Sequence, residues 1–179
     1  AVGERVADFD ELLLVNDTWF GPIRPFGPIF ERMNAHPLHF WGMTDHLRVE
    51  PHPFTPDEDY LPYHLQSYWV AVRRHMFTSP EWQAYWRDLP AMTTYSDAVT
   101  KHEGIFTQHF TRQGFSGEVA FPTLTDKIEN HAVLYAEQLI DAGCPTLKRR
   151  PFFQWPVFLD RVAVVGKWTL EAAERGGYP

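Results

Sequence analysis

Four prolines, Pro51, Pro53, Pro56 and Pro62, crowd the stretch from Asp45 to Tyr63. Each fixes its own φ and removes a backbone donor, so neither a helix nor a strand can run through them. The stretch also carries Asp57, Glu58 and Asp59. It is expected to be a long loop, and long loops inside domains act as binding loops or lids, or are surface excursions. The fold has to be built from the elements on either side.

Before the loop, Glu11–Val15 contains Leu12-Leu13-Leu14-Val15. A short continuous apolar run of this kind predicts a strand buried on both faces, as in a sheet covered by helices. Asn16-Asp17-Thr18 ends it, and Gly21-Pro22 marks a turn. Pro28–Met33 predicts a short helix and His39–Thr44 a second strand. After the loop, Leu65–Arg73 has strand character. Ser79-Pro80-Glu81 opens a helix with a capping residue, a first-position proline and a first-turn acid. Trp82, Tyr85, Trp86 and Leu89 then lay an aromatic stripe on the core. A helix is expected from about Glu103 to Gln113, stopped by Gly114, and a short strand at Glu118–Phe121. Asp126–Ala142 predicts one long helix closed by Gly143 and Pro145, and Lys167–Arg175 a last one ended by Gly176-Gly177. Strands alternating with helices give an α/β fold: a mixed sheet flanked by helices, one domain over residues 1–179.

Net charge is −7, and the longest basic run is Lys148-Arg149-Arg150. Nucleic-acid binding needs a basic stripe to neutralise phosphates, so that class is set aside. The single cysteine, Cys144, excludes an internal disulfide and a cysteine-rich zinc site. No apolar run approaches the roughly 20 residues of a membrane helix.

In sheets of this kind ligands sit at the carboxyl ends of the strands. Asn16 and Asp17 stand there, and a carboxylate so placed can hold Mg²⁺ or Mn²⁺ against the phosphates of a nucleotide; the plainer reading is that they begin a turn. Glu103, at an expected helix N-terminus, is either a general base or an acid complementing the helix dipole. Asp45-His46 and His64-Leu-Gln66-Ser67 flank the proline-rich loop and are expected to converge at its mouth. No G-x-S-x-G pattern surrounds any serine, and no phosphate-cradling glycine loop is present. Lys148, Arg149 and Arg150 can bind a diphosphate or form a solvated basic turn.

The order of these blocks along the chain says more than any one of them. Glu11-Leu-Leu-Leu-Val-Asn-Asp-Thr-Trp-Phe-Gly-Pro22, Phe40-Trp-Gly-Met-Thr-Asp-His46 and His64-Leu-Gln-Ser-Tyr-Trp-Val-Ala-Val-Arg73 resemble the rhamnan synthesis protein F family of bacterial polysaccharide glycosyltransferases. So do Glu103–Phe115, Lys148-Arg-Arg-Pro-Phe-Phe153 and the closing Gly177-Tyr-Pro179. The resemblance implies the C-terminal part of a GT-A-like nucleotide-diphospho-sugar transferase, with a nucleotide-binding half expected before the first strand. It implies a nucleotide-sugar donor, with rhamnose as a candidate sugar, and a glycan or lipid-linked glycan acceptor at the inner face of the cytoplasmic membrane. Glu103 becomes the expected catalytic base. Asn16, Asp17, Lys148 and Arg149 become donor-binding residues, with Asp17 the expected metal ligand. Asp45, His46, His64, Gln66 and Ser67 are assigned to the substrate cleft. The non-catalytic alternative is a carbohydrate-binding or assembly domain that kept the acceptor side. A half-fold would also expose a sheet edge, which favours association with a membrane complex or a second copy.

Overall fold

The computed structural model describes residues 3–125, 129–153 and 161–177. A 3₁₀ turn, Gly3–Asp8, leads into β1 (Glu11–Val15), β2 (Trp19–Phe20), α1 (Gly27–Asn34) and β3 (Phe40–His46). The proline-rich loop then returns to β4 (His64–Leu65) and β5 (Trp69–Arg73), followed by α2 (Arg74–Phe77) and α3 (Pro80–Asp88). Next come α4 (Tyr95–Ala98), a π-helical turn (Val99–Glu103), α5 (Gly104–Arg112) and β6 (Gly117–Phe121). The chain closes with α6 (His131–Leu134), α7 (Ala136–Asp141), β7 (Leu147–Lys148), α8 (Arg150–Phe153) and α9 (Arg161–Arg175).

β3 is the centre of a mixed sheet. It pairs antiparallel with β5 and β4 and parallel with β6, and β5 pairs antiparallel with β1. Side chains alternate across a pleat, so successive β3 and β5 residues enter two different cores. Trp41, Met43, Trp69 and Ala71 pack with Ile29 and Met33 of α1 and Leu139 of α7. Phe40, Val70 and Val72 pack with Trp82 and Tyr85 of α3 and Phe106 and Phe110 of α5. This is a mixed sheet flanked by helices.

Some expected elements differ. Among the described residues β1 pairs only with β5. Its Leu12 and Leu14 pack against the α3–α5 core, whereas Leu13 and Val15 are 40% and 51% exposed. The run expected to be buried on both faces is therefore an edge strand covered on one. The expected strand Leu65–Arg73 is broken at Gln66-Ser67-Tyr68, where the chain leaves one pairing and enters another: Gln66 N donates to Thr44 O at the end of the β3–β4 register and Asn16 N to Tyr68 O at the end of the β1–β5 register. The helix placed at Glu103 begins instead at Tyr95, where Thr94 Oγ1 accepts from Asp97 N at 3.0 Å. Glu103 therefore lies inside a helical run, away from its N-terminal dipole. The helix expected over Asp126–Ala142 is two short ones, broken at Tyr135 (φ −134°, ψ 33°); residues 126–128 lie outside the described residues, as do Tyr178 and Pro179. The last helix starts earlier than Lys167, at Arg161. Ser79 caps α3 through Trp82 N, and Gly114 (φ +91°) ends α5, both as expected.

Candidate functional site

Two-residue strands assemble the site. β2 pairs with β7, Trp19 opposite Lys148 and Phe20 opposite Leu147, so Asn16–Thr18 lies beside Lys148–Arg150 although more than a hundred residues separate them in sequence. The helical run from Tyr95 to Arg112 forms the facing wall. Between them opens a cleft of about 750 Å³. Eight residues singled out from sequence line it: Asn16, Asp17, Gln66, Ser67, Glu103, Lys148, Arg149 and Arg150. Tyr95, Asn130 and Phe153 line it too.

Glu103 sits in the π-helical turn, and such turns are a common way to re-aim a side chain within a helix. The break at Gln66–Tyr68 faces it. Ser67 donates twice to Glu103 Oε2, from its backbone N at 2.8 Å and from Oγ at 2.5 Å. Oε1 stands 3.7 Å from His64 Nε2. Burial pushes the Glu103 carboxyl up, but the nearby His64 ring and the two bonds from Ser67 outweigh it and hold the group at about 2. Glu103 is a carboxylate at any physiological pH.

Lys148 is the cation across the cleft. Its Nζ lies 3.8 Å from the centre of the Tyr68 ring and 3.3 Å from Thr18 Oγ1. Among the described residues no carboxylate lies within 4.0 Å of it. Burial pushes its pKa down to about 8; Glu103 pulls it up and Arg150 pushes it down. Arg149 donates from Nη1 to Asp17 O at 2.9 Å, and its guanidinium lies over the Phe20 and Phe153 rings. Arg150 lies over the Tyr95 ring. A half-buried ammonium beside two guanidinium groups is suited to an anion, phosphate above all.

Asp17 and Asn16 contribute less than the sequence suggested. The Asp17 carboxylate is 95% exposed and 4.0 Å from Arg149. Asn16 Oδ1 is taken by Thr18, accepting from its N at 3.0 Å and its Oγ1 at 2.7 Å, the turn-starting role open to it from the outset. Among the described residues no three His, Cys, Asp or Glu side chains group to hold a metal ion. One exposed carboxylate with cations for neighbours does not fit a resident divalent cation.

Asp45, His46 and His64 do not line the cleft. Asp45 is buried and accepts from Thr123 N and Oγ1 at 2.8 and 2.7 Å. His64 donates from Nδ1 to Pro62 O at 2.8 Å and stacks on His46 at 5.4 Å. It stands behind Glu103. Burial pushes the His46 imidazole down from its ordinary value. Gln66 is also largely tied off, accepting from Thr44 Oγ1 at 2.7 Å and donating to Asn130 Oδ1 at 3.2 Å.

The family profile described as Rhamnan synthesis protein F matches residues 1–179. The chain belongs to the rhamnan synthesis protein F family. That name gives the family a role in rhamnan polysaccharide synthesis. No curated protein and no solved structure matches the chain. Among the described residues no helix is long and apolar enough to cross a membrane.

Tyr95 and Asn130 were missed from sequence. For Tyr95 a signal existed: Thr94-Tyr-Ser-Asp97 is a helix-start pattern that places the residue on the first turn. For Asn130, which reaches the cleft through Gln66, no local pattern announces the contact.

Proposed function

We propose that the cleft binds a nucleotide-diphospho-sugar and that the chain transfers the sugar to a glycan hydroxyl. The observation that carries this is the facing pair of charges: the Lys148–Arg150 cations on one wall and the ionised Glu103 on the other, in one cleft of about 750 Å³. The diphosphate would lie against Lys148 and Arg149. The acceptor oxygen would attack the anomeric carbon as its bond to the diphosphate oxygen breaks. The electron pair leaves on the diphosphate, and the acceptor proton passes to Glu103. Lys148 and Arg149 stabilise the charge that develops on the leaving group, work for which one such group is commonly worth ~10²–10³ in rate. No step is assigned to a divalent cation, because Asp17 alone is a poor donor set for one.

The family's role in rhamnan synthesis supports a rhamnosyl donor and a rhamnan acceptor. Nucleotide-sugar supply puts the reaction at the cytoplasmic side of a membrane. A GT-A-like arrangement rests on the blocks quoted from sequence.

A second reading, a glycan-binding or assembly domain without catalysis, draws on one feature. A carboxylate held at about 2 by Ser67 and His64 is a weak proton acceptor. Transfer from dTDP-rhamnose or a UDP-sugar to a rhamnan oligosaccharide separates the readings. The transferase reading expects turnover that Glu103→Gln lowers strongly with donor binding retained. Oligosaccharide binding with neither donor binding nor turnover favours the second.

A further inference from the structure

The helical wall of the basic cleft has another side. There, two adjoining hollows of about 720 and 620 Å³ share Glu58, Ile105 and His109 and form one trough between α3, α5 and the proline-rich loop. Carboxylates of Glu58, Asp59 and Asp88, the side-chain amides of Gln108 and Gln113, and the cations of Lys101 and Arg112 line it. Acids alone would say little, but His52 adds an independent observation. Its Nδ1 accepts from Phe54 N at 3.1 Å and Thr55 N at 2.9 Å, which puts the ring hydrogen on Nε2. The side chain is 1% exposed and lines the trough, and Nε2 has no hydrogen-bond partner among the described residues. Glu58 Oε2 is 3.8 Å away, beyond hydrogen-bond reach. A buried N–H left without an acceptor is costly, so a ligand oxygen placed there is favoured.

The trough is joined to the cleft by two exposed rings. Phe54, 39% exposed, lines the trough; Tyr95, 61% exposed, lines the cleft; their centroids are 5.8 Å apart. Exposed aromatic rings offer flat apolar faces that match the C–H face of a pyranose, while carboxylates, amides and an N–H suit its hydroxyls. A cationic peptide would meet the acids but also the wrong end of the His52 dipole.

We propose that this trough binds an uncharged, hydroxyl-rich glycan, the acceptor chain, which crosses the Phe54–Tyr95 rim to present its end to Glu103. The direction of the chain rests on the transferase reading above; glycan binding in the trough does not. The test is titration of the full chain with a rhamnan oligosaccharide, followed calorimetrically and through the ¹H–¹⁵N signal of His52 Nε2, with a parallel titration by dTDP and UDP. Phe54→Ala and Glu58→Gln are expected to weaken oligosaccharide binding about fivefold or more, to leave nucleotide binding unchanged, and to keep the wild-type melting temperature, because both side chains are exposed. The His52 signal should move on saturation. Oligosaccharide binding that both variants leave intact, or binding of nucleotide with none of oligosaccharide, overturns the proposal. So does an oligolysine peptide that takes the trough where the oligosaccharide does not. Oligosaccharide binding lost in the variants with no nucleotide binding in any protein upholds the trough and defeats the transferase reading instead.

Discussion

Lys148 gives the sharpest test of the basic cleft, because its charge is poised to change under mild conditions. With its pKa at about 8, the ammonium fraction falls from about 0.9 at pH 7 to about 0.1 at pH 9. A bound diphosphate holds the proton on, so binding to the free protein should weaken about tenfold over that interval. The diphosphate of a nucleotide sugar has no proton to lose there. Calorimetric titration of dTDP-rhamnose at pH 7, 8 and 9 reads the effect. Lys148→Arg should bind with a flat profile, since guanidinium stays charged throughout. Stability should move the other way. A lysine pushed below its usual value destabilises the fold fully below the folded pKa, and that cost is relieved as pH rises from about 8 towards 10.5. The cost at pH 7 is at most ~3 kcal/mol, reduced by the contact with Tyr68. Lys148→Met should therefore lose nucleotide binding while melting no lower than the wild type at pH 7. A flat wild-type binding profile, or a sloping one in Lys148→Arg, refutes the reasoning.

Glu103 should show in acid. Its carboxyl lies below its ordinary value of 4.5, so it contributes stability above that pH which is lost as pH falls towards about 2; urea midpoints at pH 5, 4 and 3 should fall less steeply in Glu103→Gln than in the wild type. Phe110 is fully buried, with the Phe106, Tyr85 and Trp82 rings at 4.8–5.7 Å. Phe110→Ala should cost ~3–5 kcal/mol by chemical denaturation. A Cβ added at Gly104 would lie 2.6 Å from Leu61 Cδ1 and 3.1 Å from Val99 O, so Gly104→Ala should cost ~1–3 kcal/mol in the same assay and loosen the loop where Leu61 bridges Val49.

Strong local signals survived the step from sequence to structure. The Ser79-Pro80-Glu81 start of α3 and the Gly114 stop depend on neighbouring residues alone, and both stand. The residues of the cleft were legible one by one: Asn16, Glu103, Ser67 and Lys148 are polar groups at the ends or breaks of apolar segments. What brings them together was not. β2 and β7 are two residues each, too short to show a period, and their pairing is what sets Thr18 against Lys148. The break at Gln66–Tyr68 falls in a run with strand propensity throughout, and tertiary bonds to Thr44 and Glu103 decide it. Leu13 and Val15 read as core because composition does not say which strand is the edge. His46 and His64 drew attention by flanking the proline-rich loop, yet they are packed behind Glu103.

The central claim is that the Lys148–Arg150 wall holds the diphosphate of a nucleotide sugar. Isothermal titration of dTDP-rhamnose and UDP-sugars into the chain, in EDTA and again with Mn²⁺, tests it most directly. Saturable binding to one nucleotide family, nearly as strong in EDTA and abolished in Lys148→Met, is the predicted result. No binding of either nucleotide under both conditions, or binding that Lys148→Met leaves intact, would contradict it.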